Sequence, residues 1–303
     1  MSPRPDDLLS RRCMIIHGDD LGMSHSINQA NFAALNAKAI TSVSAMAPCP
    51  WLNDVGEFLL QHPQTDIGLH LTLTSECPSS RWRPLSSTAD QEGLTDRFGF
   101  LLQETGELHA KARSIEDEVR SQILALKNVG IEPSHMDCHM MAGFGSSRLL
   151  QSYIRSAMAA NILTLVPSHL RMYALKCMPA IDSLIPPVNL IYIKPSVSPN
   201  RWTQFYISAI NRLPKGINVL LVHLGFDNDD LRAVRRGRSG WDAAWRQRDF
   251  DVVMSSSFQN SIAANDIQLM TWRDLAESSV RSHNASVCTQ PSSGFVDMTA
   301  CFF

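Results

Sequence analysis

Short apolar runs alternate along this chain with amphipathic segments, from near the N-terminus to about residue 275. The apolar runs are rich in Val, Ile and Leu, which is typical of buried parallel strands, and the segments between them have helical periodicity. The predicted strands cover 13–17, 40–47, 66–73, 134–140, 162–167, 188–194, 217–224 and 267–271. The predicted helices cover 24–37, 51–62, 115–129, 146–160, 201–213 and 242–264. This alternation predicts an α/β fold, a distorted TIM-like (β/α) barrel, whose site lies at the carboxyl ends of the strands.

One segment interrupts the alternation. Residues 76–113 are rich in Pro, Ser, Arg, Trp and Gly and lack a long periodic run. A stretch of this length without regular structure is usually functional in a compact domain, so we predict a lid insertion here. Residues 1–277 are predicted to form a single barrel domain. From 278 to 303 the composition turns to Ser, Thr, Asn and Cys, which predicts a loose C-terminal tail.

The composition and charge of the chain limit the classes of protein to which it is expected to belong. Across 303 residues, 27 Lys and Arg stand against 29 Asp and Glu, so the net charge of −2 gives no reason to expect nucleic acid as a partner. No window carries the roughly 18 consecutive apolar residues of a membrane span, and no apolar signal-peptide core follows Arg11 and Arg12. Seven cysteines without a C-x-x-C pair indicate free thiols in a reducing compartment. We therefore expect a cytoplasmic protein.

Polar side chains with metal-binding chemistry stand where several of the predicted strands end. Asp19 and Asp20 follow the first apolar run, His70 lies in the third, and His223 ends a late one. Two adjacent buried carboxylates are costly unless a cation lies beside them, and imidazole is the commonest metal ligand. A single strand histidine is usually a core residue, but several elements converging on the same chemistry predict metal-assisted hydrolysis.

A further cluster lies in the strand predicted at 134–140. Its alternation places His135, Asp137 and His139 on one face. A carboxylate on that face can orient a ligating ring through the other ring nitrogen. Because both histidines point the same way, the spacing alone leaves open which of them binds a metal.

Taken together, five short motifs resemble the YdjC family of carbohydrate deacetylases, which includes chitooligosaccharide deacetylases and hopanoid-pathway relatives. They are the segments 18–22 (GDDLG), 40–42 (ITS), 68–74 (GLHLTLT), 133–139 (PSHMDCH) and 223–225 (HLG). The resemblance implies a distorted (β/α) barrel, one divalent metal ion (Mg²⁺ or Zn²⁺), and hydrolysis of N-acetyl groups. The implied partner is a small acetylated amino sugar or its conjugate, and the resemblance also allows a homodimer.

By motif match, Asp20, His70 and His139 correspond to the family's metal ligands and Asp19 to its catalytic base. Chemistry gives an independent reason for this division of roles. Three protein ligands leave positions open for water and substrate, which is how a catalytic metal site is built. Asp19 is adjacent to Asp20 in the chain and would be close enough to take a proton from the attacking water.

The remaining candidates are expected to assist these four residues. His223 is the candidate that donates a proton to the departing amine. His135 and Asp137 are expected to support the ligands. His17 stands where the family often has Asn, and its ring could hydrogen-bond near Asp19 or simply pack. Trp82, in the predicted lid, is the tryptophan that could stack on a sugar ring.

Two departures from the family pattern keep other functions open. The segment 140–143 follows His139 where the family commonly has further histidines, and Leu224 stands where proline is usual. One alternative is a metal-dependent hydrolase of another amide or of a phosphoester. The other is a non-catalytic, metal-dependent sugar-binding or regulatory protein on the same fold.

Overall fold

A computed structural model of the chain describes residues 8, 10–87, 92–238 and 240–278. Its centre is a sheet of eight parallel strands. The strands are β1 Arg12–Leu21, β2 Ser42–Ala45, β3 Ile67–Leu71, β4 His135–Cys138, β5 Leu163–Thr164, β6 Val188–Tyr192, β7 Gly216–Val222 and β8 Gln268–Leu269. Every predicted strand therefore overlaps an observed one, and the predicted α/β class is confirmed.

The helices are interleaved with the strands along the chain. They are α1 His25–Asn36, α2 Leu52–Gln61, α3 Ala112–Asn128, α4 Ser147–Ala160, α5 Ser168–Cys177, α6 Trp202–Asn211, α7 Asp229–Val234, α8 Ala243–Met254 and α9 Ser256–Ala264. All six predicted helices are observed, although the one expected over 242–264 divides at Ser255. The backbone of Ser255 is extended, and its hydroxyl accepts from the Phe258 N–H, which caps α9. The sequence analysis did not predict α5 and α7.

The strands run in the order β5-β4-β3-β2-β1-β7-β6, and β8 pairs with β1. In the part of the chain that the structure describes, no pairing joins β5 to β6. The curled parallel sheet is thus open between these two strands, and the closed ring of a complete barrel is not formed. The (β/α) topology agrees with the prediction of a distorted barrel, and a complete TIM barrel is not confirmed.

Alternation along β1 separates two buried layers. Met14 and Ile16 pack in the layer that contains the helices, whereas Cys13 and Ile15 face the other side of the sheet. There they join inward residues of β5, β6 and β7 and the ring of Trp272, which is completely buried. This inner layer fills the base of the curled sheet and leaves the carboxyl ends of the strands free for a site.

The predicted lid lies between β3 and α3 and packs against the core. Trp82, Leu94, Leu101 and Leu108 are buried, and Thr95 pairs with Leu101 in an antiparallel bridge. These side chains belong to the main hydrophobic core, which the polar composition of the segment did not indicate.

The remaining predictions concern membrane spans, cysteines and domain boundaries. None of the helices that the structure describes is long and apolar enough to cross a bilayer. The five cysteines within the described ranges are all free thiols. The tail predicted over 278–303 lies outside the described residues except for residue 278, and the single domain over 1–277 stays a prediction.

Candidate active site

A β-bulge at the end of β1 brings two consecutive carboxylates to one site. Gly18 pairs with Val43 and Leu21 with Ala45, so β1 has one residue more than β2 over this stretch. Asp20 has a φ of 72°, in the left-handed region. In a regular strand adjacent side chains point to opposite faces, and the bulge is what lets both Asp19 and Asp20 line the same cavity.

Three side chains from different elements converge above the sheet. Oδ1 of Asp20 lies 3.2 Å from Nε2 of His70 and 3.1 Å from Nδ1 of His139, and these two nitrogens are 3.3 Å apart. A divalent ion about 2.0–2.3 Å from each ligand atom would hold three such atoms at roughly these separations. The geometry and the donor set therefore fit a single divalent ion. The three residues are those that the motif match assigns as ligands.

Each histidine of this triangle is oriented by a buried carboxylate. Nδ1 of His70 lies 2.8 Å from Oδ1 of Asp137, and Nε2 of His139 lies 3.0 Å from Oε2 of Glu76. A hydrogen bond to one ring nitrogen leaves the lone pair of the other for the ion. Glu76 is itself held by Arg235, whose Nη1 donates to Oε1 over 2.6 Å. Together these contacts fix the rings before any ion binds.

Asp20 is held as an anion by a buried arginine. Nη2 of Arg246 donates to Oδ2 of Asp20 over 2.6 Å, and both side chains are almost fully buried. Burial alone raises the pKa of a carboxyl group, but the Arg246 charge and hydrogen bonds from His139 and His70 lower the pKa of Asp20 well below its usual value. Oδ1 thus stays ionised and free to bind a cation.

Asp19 directly precedes Asp20 in the chain, but its pKa is raised, whereas that of Asp20 is lowered. Burial is the largest cause, and it raises the pKa of Asp19 to about 7, with the charge of Asp137 adding to the effect and those of His70 and His17 opposing it. Nε2 of His17 lies 3.3 Å from Oδ1 of Asp19, and Nε2 of His223 lies 3.6 Å from Oδ2. A buried carboxylate with a pKa near neutrality is well matched to gaining and losing a proton at pH 7.

His223 lies on the opposite side of Asp19 from His17. Burial lowers the pKa of His223 to about 3, so the ring is neutral at pH 7. Its backbone N–H donates to Oδ2 of Asp249 over 3.0 Å, and Oδ1 of Asp249 accepts from Trp202 and Tyr206. Helix α8 therefore carries both Asp249, behind His223, and Arg246, behind Asp20.

Of the other predicted residues, Asp137 lines the cavity, whereas His17, His135 and Trp82 do not. Nε2 of His17 also lies 3.1 Å from Oδ2 of Asp137, which places His17 in the hydrogen-bond network beneath Asp19. The ring of His135 stacks on that of Trp272 with centroids 4.8 Å apart, and it does not reach the triangle of ligand atoms. The close approach of this ring is why residue 68 is glycine, since a Cβ there would lie 2.3 Å from the imidazole. Trp82 packs edge-on to His139 and does not line the cavity.

The cavity above these residues has a volume of about 340 Å³. Pockets of a few hundred Å³ with a small number of convergent polar groups commonly bind small molecules. Asp19, Asp20, His70, His139 and His223 all line it. The cavity thus exposes the proposed ligands and the proposed acid and base to one bound molecule.

Metal binding is expected to expel protons. Burial lowers the pKa of both ligand histidines, but the charge of Asp137 outweighs it at His70, and the charges of Glu76 and Asp20 outweigh it at His139, so both pKa values are raised. Only a neutral ring binds a metal, so we expect protons to be released when the ion binds and the apparent affinity to be higher at higher pH.

Calorimetric titration with Zn²⁺ in two buffers of different ionisation enthalpy counts these protons. Binding without proton release between pH 6 and 8 would contradict the assignment of both histidines as ligands.

Sequence reasoning missed three of the residues that support the ligands. Glu76 is a carboxylate directly beyond the strand that carries His70, and that position was a usable signal. Neither Arg235 nor Arg246 has such a signal in the sequence. Arg246, for example, cannot be distinguished by sequence from Arg248, which lies two residues later on α8. Only the packing of α8 against β1 shows which arginine reaches Asp20.

Known proteins are similar to this chain in sequence and in structure. The chain is 29% identical over 276 residues to a carbohydrate deacetylase of Thermus thermophilus, which covers 88% of this chain and 95% of the relative. A carbohydrate deacetylase of Halalkalibacterium halodurans is 28% identical over 132 residues, which span 42% of this chain and 52% of that protein. A structure from Enterococcus faecalis, described as a cellobiose-phosphate cleavage protein, has the same fold with a TM-score of 0.73 at 20% identity, over 88% of this chain and 100% of that one.

The family comparison covers the whole region that builds the site. Residues 13–264 match the family described as YdjC-like protein. This range includes every residue of the ligand triangle, Asp19 and His223, as well as Arg235 and Arg246. The chain belongs to the YdjC-like protein family.

Proposed function

We propose that this protein is a metal-dependent carbohydrate N-deacetylase, which hydrolyses the N-acetyl group of an amino sugar or its conjugate. The observation that carries the proposal is the triangle of Asp20, His70 and His139 with Asp19 beside it at the base of a cavity. The relatives named as carbohydrate deacetylases support the substrate class. A complete set of three ligands and a base is more than a non-catalytic sugar-binding protein would need.

Asp20, His70 and His139 would hold one divalent ion. When bound, such an ion lowers the pKa of a coordinated water and polarises an amide carbonyl. The protein supplies rings fixed by Asp137 and Glu76, and a carboxylate kept ionised by Arg246. The donor set suits Zn²⁺, and Mg²⁺ is the other ion that we propose.

The chain's own residues move the proton. In the proposal, Asp19 takes a proton from the water that attacks the acetyl carbon. His223 begins neutral because burial lowers its pKa to about 3, so it cannot be the proton donor at the outset. The pKa of Asp19 is about 7, so in the proposal Asp19 keeps the proton that it takes from water and returns it to the amine nitrogen as the C–N bond breaks. The neutral ring of His223 lies beside it, with Nε2 3.6 Å from Oδ2 of Asp19. The products are acetate and the free amino sugar.

A screen by reaction class tests this function. Purified, metal-loaded protein is incubated with N-acetylglucosamine glycosides, with O-acetylated sugars and with sugar phosphates, and acetate, free amine and phosphate are measured separately. We expect acetate and amine in equal amounts from the N-acetylated sugars. Phosphate release, or acid other than acetate released from a different amide, would replace the proposal with the alternative hydrolase.

A further inference from the structure

A second group of metal-binding side chains lies beside the ligand triangle. One ligand atom from each of His17, His135 and Asp137 lies within 4.8 Å of the others, and all three side chains are buried. Nε2 of His17 is 3.1 Å from Oδ2 of Asp137 and 3.3 Å from Oδ1 of Asp19. We call His17, Asp19, His135 and Asp137 the floor cluster. Two carboxylates and two imidazoles are a donor set that suits Zn²⁺.

The carboxylates of the floor cluster lack permanent positive partners. The other two carboxylates that line the cavity on this side are each paired with a buried arginine. In the part of the chain that the structure describes, Asp19 and Asp137 form ion pairs with histidines alone. Buried carboxylates are usually paired with cations or bound to metal ions. This part of the site therefore has a deficit of positive charge that a divalent ion would correct.

Two buried polar atoms of the floor cluster have no hydrogen-bond partner among the described residues. They are Oδ1 of Asp19, which faces His17 without hydrogen-bond geometry, and Nε2 of His135. Nδ1 of His135 lies 2.9 Å from Oγ of Ser134, which donates to the Ile67 carbonyl and so accepts the ring N–H. Nε2 is thus left with a bare lone pair. Unpaired buried atoms are costly, and both of these are atoms that a metal ion binds.

The geometry of the floor cluster is close to that of a metal site. Ligand atoms about 2.1 Å from a tetrahedral ion lie roughly 3.4 Å from one another. The two carboxylate oxygens beside Nε2 of His17 are at 3.1 and 3.3 Å, and the ring of His135 meets that of His17 with centroids 4.9 Å apart. An ion can enter from the cavity, because Asp19 and Asp137 line it.

We infer that the floor cluster is a second, weaker site for Zn²⁺, and that an ion bound there inhibits the enzyme. The inhibition rests on the proposed deacetylase function, whereas the site does not. A carboxylate whose oxygen binds a metal ion cannot accept the proton of the attacking water, so the second ion removes Asp19 from the reaction. The second ion binds more weakly than the first because the two positive charges lie close together.

The donor set also predicts which ion inhibits. Mg²⁺ prefers oxygen ligands in an octahedral arrangement and keeps several of its waters. The floor cluster offers two imidazoles in a buried position, which suits Zn²⁺ and excludes a hydrated Mg²⁺ ion. Excess Zn²⁺ is therefore expected to inhibit, and excess Mg²⁺ is not.

Zinc content and turnover, measured on the same samples, test the inference. Metal-stripped protein is dialysed to equilibrium against buffers of increasing free Zn²⁺, and bound zinc and acetate release are measured at each concentration. We expect one ion to bind with a gain in rate. A second should bind at roughly 100-fold higher free Zn²⁺, with about a tenfold or greater loss of rate. One zinc ion per chain at every concentration, or equal inhibition by Mg²⁺, would overturn the inference.

A substitution locates the second ion. In His17→Asn the amide can still hydrogen-bond to Asp137 and Ser44, but it is a poor ligand for Zn²⁺. We expect the variant to keep the first ion and to need at least about tenfold more free Zn²⁺ for the second. His25→Asn is the matched control, because His25 is exposed on α1. A second ion bound by His17→Asn as tightly as by the wild type would remove the floor cluster from the site.

The zinc count separates this inference from the proposed function, because it does not depend on turnover. If no compound releases amine, but the wild type binds two zinc ions and His17→Asn binds one, the deacetylase proposal fails and the second site stands. If amine is released and only one zinc ion ever binds, the second site fails alone. If the second ion binds and the rate does not fall, the inhibition is wrong. These wild-type counts decide the matter even where His17→Asn does not fold.

Discussion

Replacing Asp19 with asparagine is expected to lower kcat by about 10³-fold while the protein still binds its metal ion. Asparagine keeps the size of the side chain and cannot accept a proton from water. Asp19 is not one of the three atoms of the ligand triangle, and its raised pKa of about 7 marks it as the carboxylate that exchanges a proton at neutral pH. The expected change is therefore in turnover, with little change in metal content.

Acetate release and metal content, measured on the same preparation, test this expectation. Asp229→Asn is the matched control, because that carboxylate is fully exposed on α7 and should leave both quantities unchanged. Near-normal turnover in Asp19→Asn would show that another group accepts the proton. Loss of the metal together with turnover would make Asp19 a ligand.

Replacing His70 with alanine is expected to weaken metal binding by roughly 10³-fold and to abolish deacetylation at physiological metal concentrations. Nε2 of His70 is one corner of the ligand triangle, and its loss leaves two protein ligands. The Asp137 carboxylate also loses a partner, but it keeps its hydrogen bonds to His17 and Ser44. We therefore expect the variant to fold and to lose the ion selectively.

Metal content after dialysis, alongside a thermal unfolding curve, measures this effect. His169→Ala is the control, because His169 is exposed on α5. Full occupancy in a folded His70→Ala variant would contradict the assignment of the ligand triangle. Recovery of activity at high metal concentration would agree with it.

The sequence predicted the parts of the fold that local patterns determine. A buried parallel strand appears in the sequence as an apolar run, and a helix with one buried face appears as apolar residues at helical spacing. Most of the strands and helices could therefore be predicted. Helix α7 has only six residues, too few for a clear period. Closure of the barrel depends on whether β5 and β6 meet, and the sequence of two short strands connected through α5 carries no signal about their pairing.

The residues of the site could be predicted where carboxylate and imidazole side chains lie at the ends of predicted strands. Asp20, His70 and His139 lie at or just beyond the ends of their strands, and the structure brings them together. The choice of His139 over His135 as a ligand stays a prediction. His139 lies in the turn after Cys138, and its Nδ1 is 3.1 Å from Oδ1 of Asp20. Arg246 could not be predicted, since its contact with Asp20 joins residues 226 positions apart.

The measurement that tests the central claim most directly is metal restoration of deacetylation. Protein stripped with a chelator is titrated with Zn²⁺ or Mg²⁺, and acetate release from an N-acetylglucosamine glycoside is followed at each addition. We expect no acetate from the stripped protein and a linear rise in rate that ends at one ion per chain. Full acetate release without metal, or stoichiometric metal binding with no acetate from any N-acetylated sugar, would contradict it.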